Sequence, residues 1–203
     1  MKDKYGFSLV ELIVVIGIIG LLVTFTVIWG VRARLEAAAL KTIKDFEAFE
    51  TALVSYGIEN LESWPTHAAA DYGDYTIQRM VNQTGAAATD FPGFNDFLTQ
   101  DITPIRNNSN FAYTYYYPVG NPAVSCGASD SYSSGVSVRL GCLDCVLGPF
   151  VDLTDIHPRI DEIVDGAIDA DCGKIRYGGT DNSLYYLIAD NANNFFGTRG
   201  LQN

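Results

Sequence analysis

A chain of 203 residues has room for one ordinary domain and an appendage. With 13 Lys and Arg against 24 Asp and Glu its formal charge is −11, and so acidic a surface repels phosphate, which disfavours general nucleic-acid binding. The 48% of hydrophobic residues are not evenly spread: they crowd the first 31 positions, and the remainder of the chain is richer in Gly, Asn, Asp, Ser and Tyr. That gradient describes an apolar anchor leading into a soluble head.

The chain opens on a short polar stretch, Met1-Lys2-Asp3-Lys4-Tyr5-Gly6, and then turns apolar. Leu12 to Val31 gives 20 residues without a formal charge; as a helix that is ~30 Å, the thickness of a bilayer's hydrocarbon core. Gly17, Gly20 and Gly30 interrupt the Leu, Ile and Val, as small residues do where membrane helices approach one another. A secretory signal places its small-residue cleavage site after the apolar stretch, and Val27–Arg34 offers no A-x-A there. Glu11 breaks the run near its start. A carboxylate in lipid costs roughly 2.5–3.5 kcal/mol at mid-membrane and less near the edge, so an ionisable residue there is a functional candidate. The plainer reading of Glu11 is a marker of the span's edge, its carboxylate snorkelling to the interface. Lys2 and Lys4 precede the span and Arg32 and Arg34 come after it, so counting positive charges gives no orientation.

The run Gly6-Phe7-Ser8-Leu9-Val10-Glu11-Leu12-Ile13-Val14-Val15-Ile16 resembles the class III signal of type IV pilins and type II secretion pseudopilins. The resemblance covers positions 5 to about 31. It implies that a membrane-embedded aspartyl prepilin peptidase cuts between Gly6 and Phe7 on the cytoplasmic side and N-methylates Phe7. It also implies that Glu11 is the assembly residue. Physical chemistry agrees: cleavage creates an amine at Phe7, and an amine and a carboxylate that are each costly in lipid are better off paired. Pairing between subunits sets register. The family usually has a proline in mid-span, and this chain has none there.

Beyond the span, Arg32 to Tyr56 contains neither Pro nor Gly and is rich in Ala, Leu, Lys and Glu. Leu35, Ala38, Ala39, Ile43, Phe46, Phe49, Leu53 and Tyr56 recur at three- and four-residue spacing, which predicts one apolar face, with Gly57 as C-cap. Residues 58–109 read as irregular structure with short helical pieces at Thr76–Asn82 and Phe94–Thr99; Gly85-Ala-Ala-Ala-Thr and Phe91-Pro-Gly read as loop. Strands are predicted at Asn110–Val119, Gly135–Gly141 (Val136, Val138 and Leu140 sharing a face), Lys174–Tyr177 and Ser183–Ala189. They form an antiparallel sheet on the helix's apolar stripe, which is also the head architecture the resemblance implies.

The four cysteines, Cys126, Cys142, Cys145 and Cys172, fall in the half expected outside the cytoplasm, where disulfides persist. Two disulfides are expected, with Cys126–Cys142 and Cys145–Cys172 preferred among three pairings. The rival is a four-thiolate zinc site using Cys142-Leu-Asp-Cys145, which lacks the second CxxC of a zinc ribbon. Asp152, Asp155, Asp161, Glu162, Asp165, Asp169 and Asp171 form an acidic run, read first as a solvated loop. The rival is a calcium site, for which Asp169 and Asp171 are the candidate ligands. His67 and His157 sit in no triad or metal motif, and no P-loop, GxSxG or HExxH is present, so no catalytic residue is assigned.

The expected whole is α+β: residues 1–6 a cleavable leader, 7–31 a transmembrane and assembly helix, 32–57 an amphipathic helix, 58–203 an extracytoplasmic head. The function expected is a non-enzymatic subunit of a type IV pilus, a secretion pseudopilus or a DNA-uptake pilus. Its partners would be further copies of itself, the peptidase, the membrane, and an assembly platform and ATPase. It would sit in the cytoplasmic membrane before assembly and on the cell surface after it. The alternative is a monomeric membrane-tethered binding module or adhesin using exposed Tyr and Asn loops such as Tyr113–Tyr117; a tethered hydrolase comes last.

Overall fold

One helix, α1, runs from Leu9 to Glu59, 51 residues without a proline. The computed structural model describes residues 8–60, 64, 75–98, 111–116, 136–142, 153–166, 173–178 and 183–189. It divides the chain into two units, Met1–Ala37 and Ala38–Asn203. In the first unit every residue from Ser8 to Arg34 is exposed. The second is α+β, with the C-terminal part of α1 lying on a four-stranded antiparallel sheet.

In the second unit α1 buries Ala39, Thr42, Ile43, Phe46, Phe49, Ala52, Leu53, Tyr56 and Gly57, the three-four spacing of one helical face. Leu35 and Ala38, expected on that stripe, are only half-buried. Gly57 is not the cap. It is a buried helical residue with no left-handed backbone, and the helix ends on Asn60, whose backbone N–H and Nδ2 both donate to the Tyr56 carbonyl at 3.0 and 2.9 Å. A side chain here does what a glycine at C′ otherwise does.

Two short helices come next: α2, Ile77–Asn82, and α3, Ala86–Asp90. Thr76 caps α2, its hydroxyl accepting from the Arg79 N–H. α3 corrects the loop expected at Gly85-Ala-Ala-Ala-Thr: the alanines, the best helix formers, take one turn once Gly85 has turned the chain at φ 62°. Gln83, left-handed at φ 51°, ties the next loop down. Its Nε2 donates to the Phe91 carbonyl at 3.0 Å and its Oε1 accepts from the Gly93 N–H at 3.0 Å. Past Phe91-Pro-Gly, which is indeed a turn, a single 3₁₀ turn spans Phe94–Asp96, shorter than the helix expected there.

The strands are β1 (Phe111–Tyr116), β2 (Val136–Cys142), β3 (Ile175–Gly178) and β4 (Ser183–Ala189), in spatial order β1-β2-β4-β3. All pairs are antiparallel, and the β2–β4 register slips between Val136 and Ser137. Register places Tyr113, Leu140, Leu184 and Tyr177 on one rung and Tyr115, Val138, Tyr186 and Ile175 on the next, all on the face that meets α1. Phe46 of α1 stacks on Tyr186 (5.0 Å, 8°) and meets Tyr113 edge-on (5.5 Å, 82°). Phe91, Phe94 and Phe97 close on Tyr56 at 5.5–6.0 Å. On the opposite face Arg139, half-buried, donates from Nε to the Ser183 hydroxyl at 2.9 Å. Gly141 leaves room for that pair, because a Cβ there would collide with both.

The acidic run is not one solvated loop. Leu153–Asp155 is a 3₁₀ turn and His157–Asp165 a helix, α4, with Pro158 in its first turn and Gly166 closing it at φ 76°. Asp161 is fully buried. The Asp165 carboxylate accepts from the backbone N–H groups of Lys174 and Ile175, both at 2.9 Å, fixing where β3 begins. Asp165 is thus a structural acid and Asp161 a buried one, whereas Asp155 and Glu162 are exposed; Asp152, Asp169 and Asp171 lie outside the described residues.

Candidate assembly site at the helix N-terminus

The one residue of the expected processing and assembly set that the structure describes is Glu11. It occupies the first turn of α1. Its carboxylate Oε2 accepts from the Ser8 backbone N–H at 2.9 Å, while the Ser8 hydroxyl accepts from the Val10 N–H at 3.3 Å. The Leu12 N–H closes the first backbone bond onto the Ser8 carbonyl at 3.2 Å. Ser8 is therefore the N-cap and Glu11 its reciprocal partner, a capping box. The Ser-x-x-Glu spacing that announces it is plain in the sequence, although Glu11 stands out there first as a charge in lipid. Gly6 and Phe7 lie outside the described residues.

Behind Glu11 the helix presents apolar side chains in every direction: Leu12, Ile16, Ile19, Val23, Phe25 and Val27 are all more than half exposed. Its polar groups are turned inward on the backbone. The Thr24 and Thr26 hydroxyls donate to the Gly20 and Leu22 carbonyls, four residues back, at 2.9 and 2.8 Å; that spares a membrane two unsatisfied hydroxyls. It is the only helix among the described residues long and apolar enough to cross a bilayer. A Cβ on Gly17, Gly20 or Gly30 would meet nothing within 4 Å, so nothing described in the chain itself calls for glycine, at about 1 kcal/mol each relative to alanine.

In the second unit the polar groups work as helix-to-sheet clamps. Glu50 of α1 accepts from Tyr186 Oη at 2.7 Å and from Lys174 Nζ at 2.8 Å, with that ammonium 4.5 Å from the centre of the Tyr186 ring. Asp45 accepts from Tyr113 Oη at 2.8 Å and from Lys41 Nζ at 2.8 Å. Burial first, and then the neighbouring carboxylates, push both phenols well above the ordinary tyrosine pKa. Tyr75 is raised to about 12 by burial and by its 2.7 Å bond to Asp90. His157 is buried and stacked on Tyr177 at 5.1 Å, and burial lowers its pKa.

Of the remaining candidates, Cys142 ends β2 opposite Phe111. Cys126, Cys145 and Cys172 lie outside the described residues, as do His67 and the calcium candidates Asp169 and Asp171. Among the described residues no three His, Cys, Asp or Glu side chains gather as metal ligands.

Residues 1–27 match the family model of the prokaryotic N-terminal methylation motif. No curated protein and no solved structure matches the chain. The motif match spans the capping box and most of the exposed apolar stretch, and it stops short of the head. The chain thus carries, at its N-terminus, the class III prepilin signal of type IV pilins and pseudopilins.

Proposed function

We propose that this protein is a structural subunit of a type IV pilus or pseudopilus-like filament, cut after Gly6 by a prepilin peptidase, N-methylated at Phe7 and polymerised through α1. The observation that carries the reading is Glu11: a carboxylate in the first turn of α1, just ahead of the uncharged and exposed stretch from Leu12 to Val31, within the methylation motif. A plain tether has no use for that charge, and its burial in lipid is unfavourable unless it finds a partner. The amine created at Phe7 of a neighbouring copy is such a partner. The glycines at 17, 20 and 30 fit the same reading, since helices of other copies would supply the close neighbours that this chain does not. On this reading the subunit waits in the cytoplasmic membrane, is raised by a platform and ATPase, and ends in a surface filament. The four cysteines pair as two disulfides in the extracytoplasmic head.

The test is Glu11→Ala in cells that make the filament. Membrane insertion and cleavage should persist while filament yield drops by at least ten-fold. Filaments of normal yield and register from that variant would refute the role given to Glu11.

A further inference from the structure

The apolar stretch of α1 ends as abruptly as it begins. Leu12–Val31 is uncharged, and Arg32 and Arg34 follow it directly. Along the helix axis their Cα atoms stand ~1.5 and ~4.5 Å past that of Val31, whereas the headgroup layer on one side of a bilayer is about 5–7 Å deep. A helix that crosses a hydrocarbon core of its own length therefore sets both arginines among the headgroups. Trp29, 74% exposed, lies ~3 Å to the apolar side of Val31, at the depth where indole rings gather in membranes. Both arginines are exposed, and neither belongs to an ion pair among the described residues.

Residues two apart on a helix point about 200° apart, so Arg32 and Arg34 occupy opposite sides of α1. A single protein partner docking on one face would meet only one of them, but a layer of headgroups surrounds the helix and meets both. The chain as a whole carries −11 and is repelled by anionic surfaces; these two guanidiniums are a local exception. Their planar forks match the oxygens of a phosphate, and their stems can lie along apolar surface while the charge stays in the polar layer. We infer that Arg32 and Arg34 bind the phosphates of anionic phospholipid headgroups on both sides of α1, with Trp29 at the edge of the hydrocarbon beside them. This goes beyond the filament reading and requires only that α1 span a bilayer.

The test uses the full-length chain in detergent micelles titrated with phosphatidylglycerol or phosphatidylcholine, bound lipids being counted by native mass spectrometry. One basic residue at an anionic surface favours binding by about five-fold. Wild type should therefore prefer phosphatidylglycerol by about 25-fold, and Arg32→Gln or Arg34→Gln alone by about five-fold. The double glutamine variant should show no preference. Arg32→Lys combined with Arg34→Lys keeps both charges and should retain a preference of at least about five-fold. No preference in wild type, or an undiminished one in the double glutamine variant, would overturn the inference. So would dimers that disappear in that variant while the lipid ratio stays put, since the arginines would then serve an acidic face of a second copy. None of these measurements depends on cleavage or polymerisation, so normal filaments from Glu11→Ala would remove the filament reading and leave this inference standing.

Discussion

His157 shows how little a single side chain's neighbours in sequence say about its burial. In sequence it sits in no recognisable motif, yet it is buried on α4, one turn from the buried Asp161, with its ring on Tyr177. Burial lowers its pKa below the ordinary 6.5, so between the lowered value and about 6.5 the unfolded chain binds more protons than the folded one. The stability it contributes is complete above about pH 6.5 and is lost as pH falls through the folded value. Thermal melts of the full chain in detergent should show wild type losing stability between pH 7 and 5 faster than His157→Phe, whose ring keeps the stack without the proton. Parallel curves would show that His157 is not held neutral. Ser8 teaches the converse. Its role is legible in Ser-x-x-Glu, but the charge of Glu11 is the louder signal and masks it.

At the scale of elements, periodicity makes structure legible in advance. The stripe from Ala39 to Tyr56 and the four strands emerge from three-four spacing, aromatic runs and strict alternation, because each buries one face against the other. α3 and α4 are not legible in that way. Five and nine residues are too few to display a period, and their signals are local: alanines after a turning Gly85, Pro158 in a first turn, Gly166 at the end. The end of α1 is obscure for a related reason, since Asn60 caps through its side chain where a glycine is expected. The helix–sheet junction makes its own prediction. Phe46 is fully buried between Tyr113 and Tyr186, so Phe46→Ala should cost ~3–5 kcal/mol in denaturant unfolding of the head. A loss under about 1 kcal/mol would mean that the sheet does not depend on this stripe.

Across the whole molecule, the sequence divides its information unevenly. Residues 1–27 match the prokaryotic N-terminal methylation motif. The head, which matches no curated protein or solved structure, carries a fold in which the carboxylates of Asp45, Glu50 and Asp165 are occupied in holding it together. A candidate site is legible where a charge stands against its surroundings, and the clamps are not, because a carboxylate bonded to a buried phenol looks in sequence like any surface acid. The filament reading therefore stands first on what happens to the N-terminus in the cell. Mass spectrometry of the N-terminal peptide from the mature protein tests that most directly. The expected species is a chain beginning at Phe7 and bearing one added methyl group; a mature chain that still begins at Met1 would contradict it.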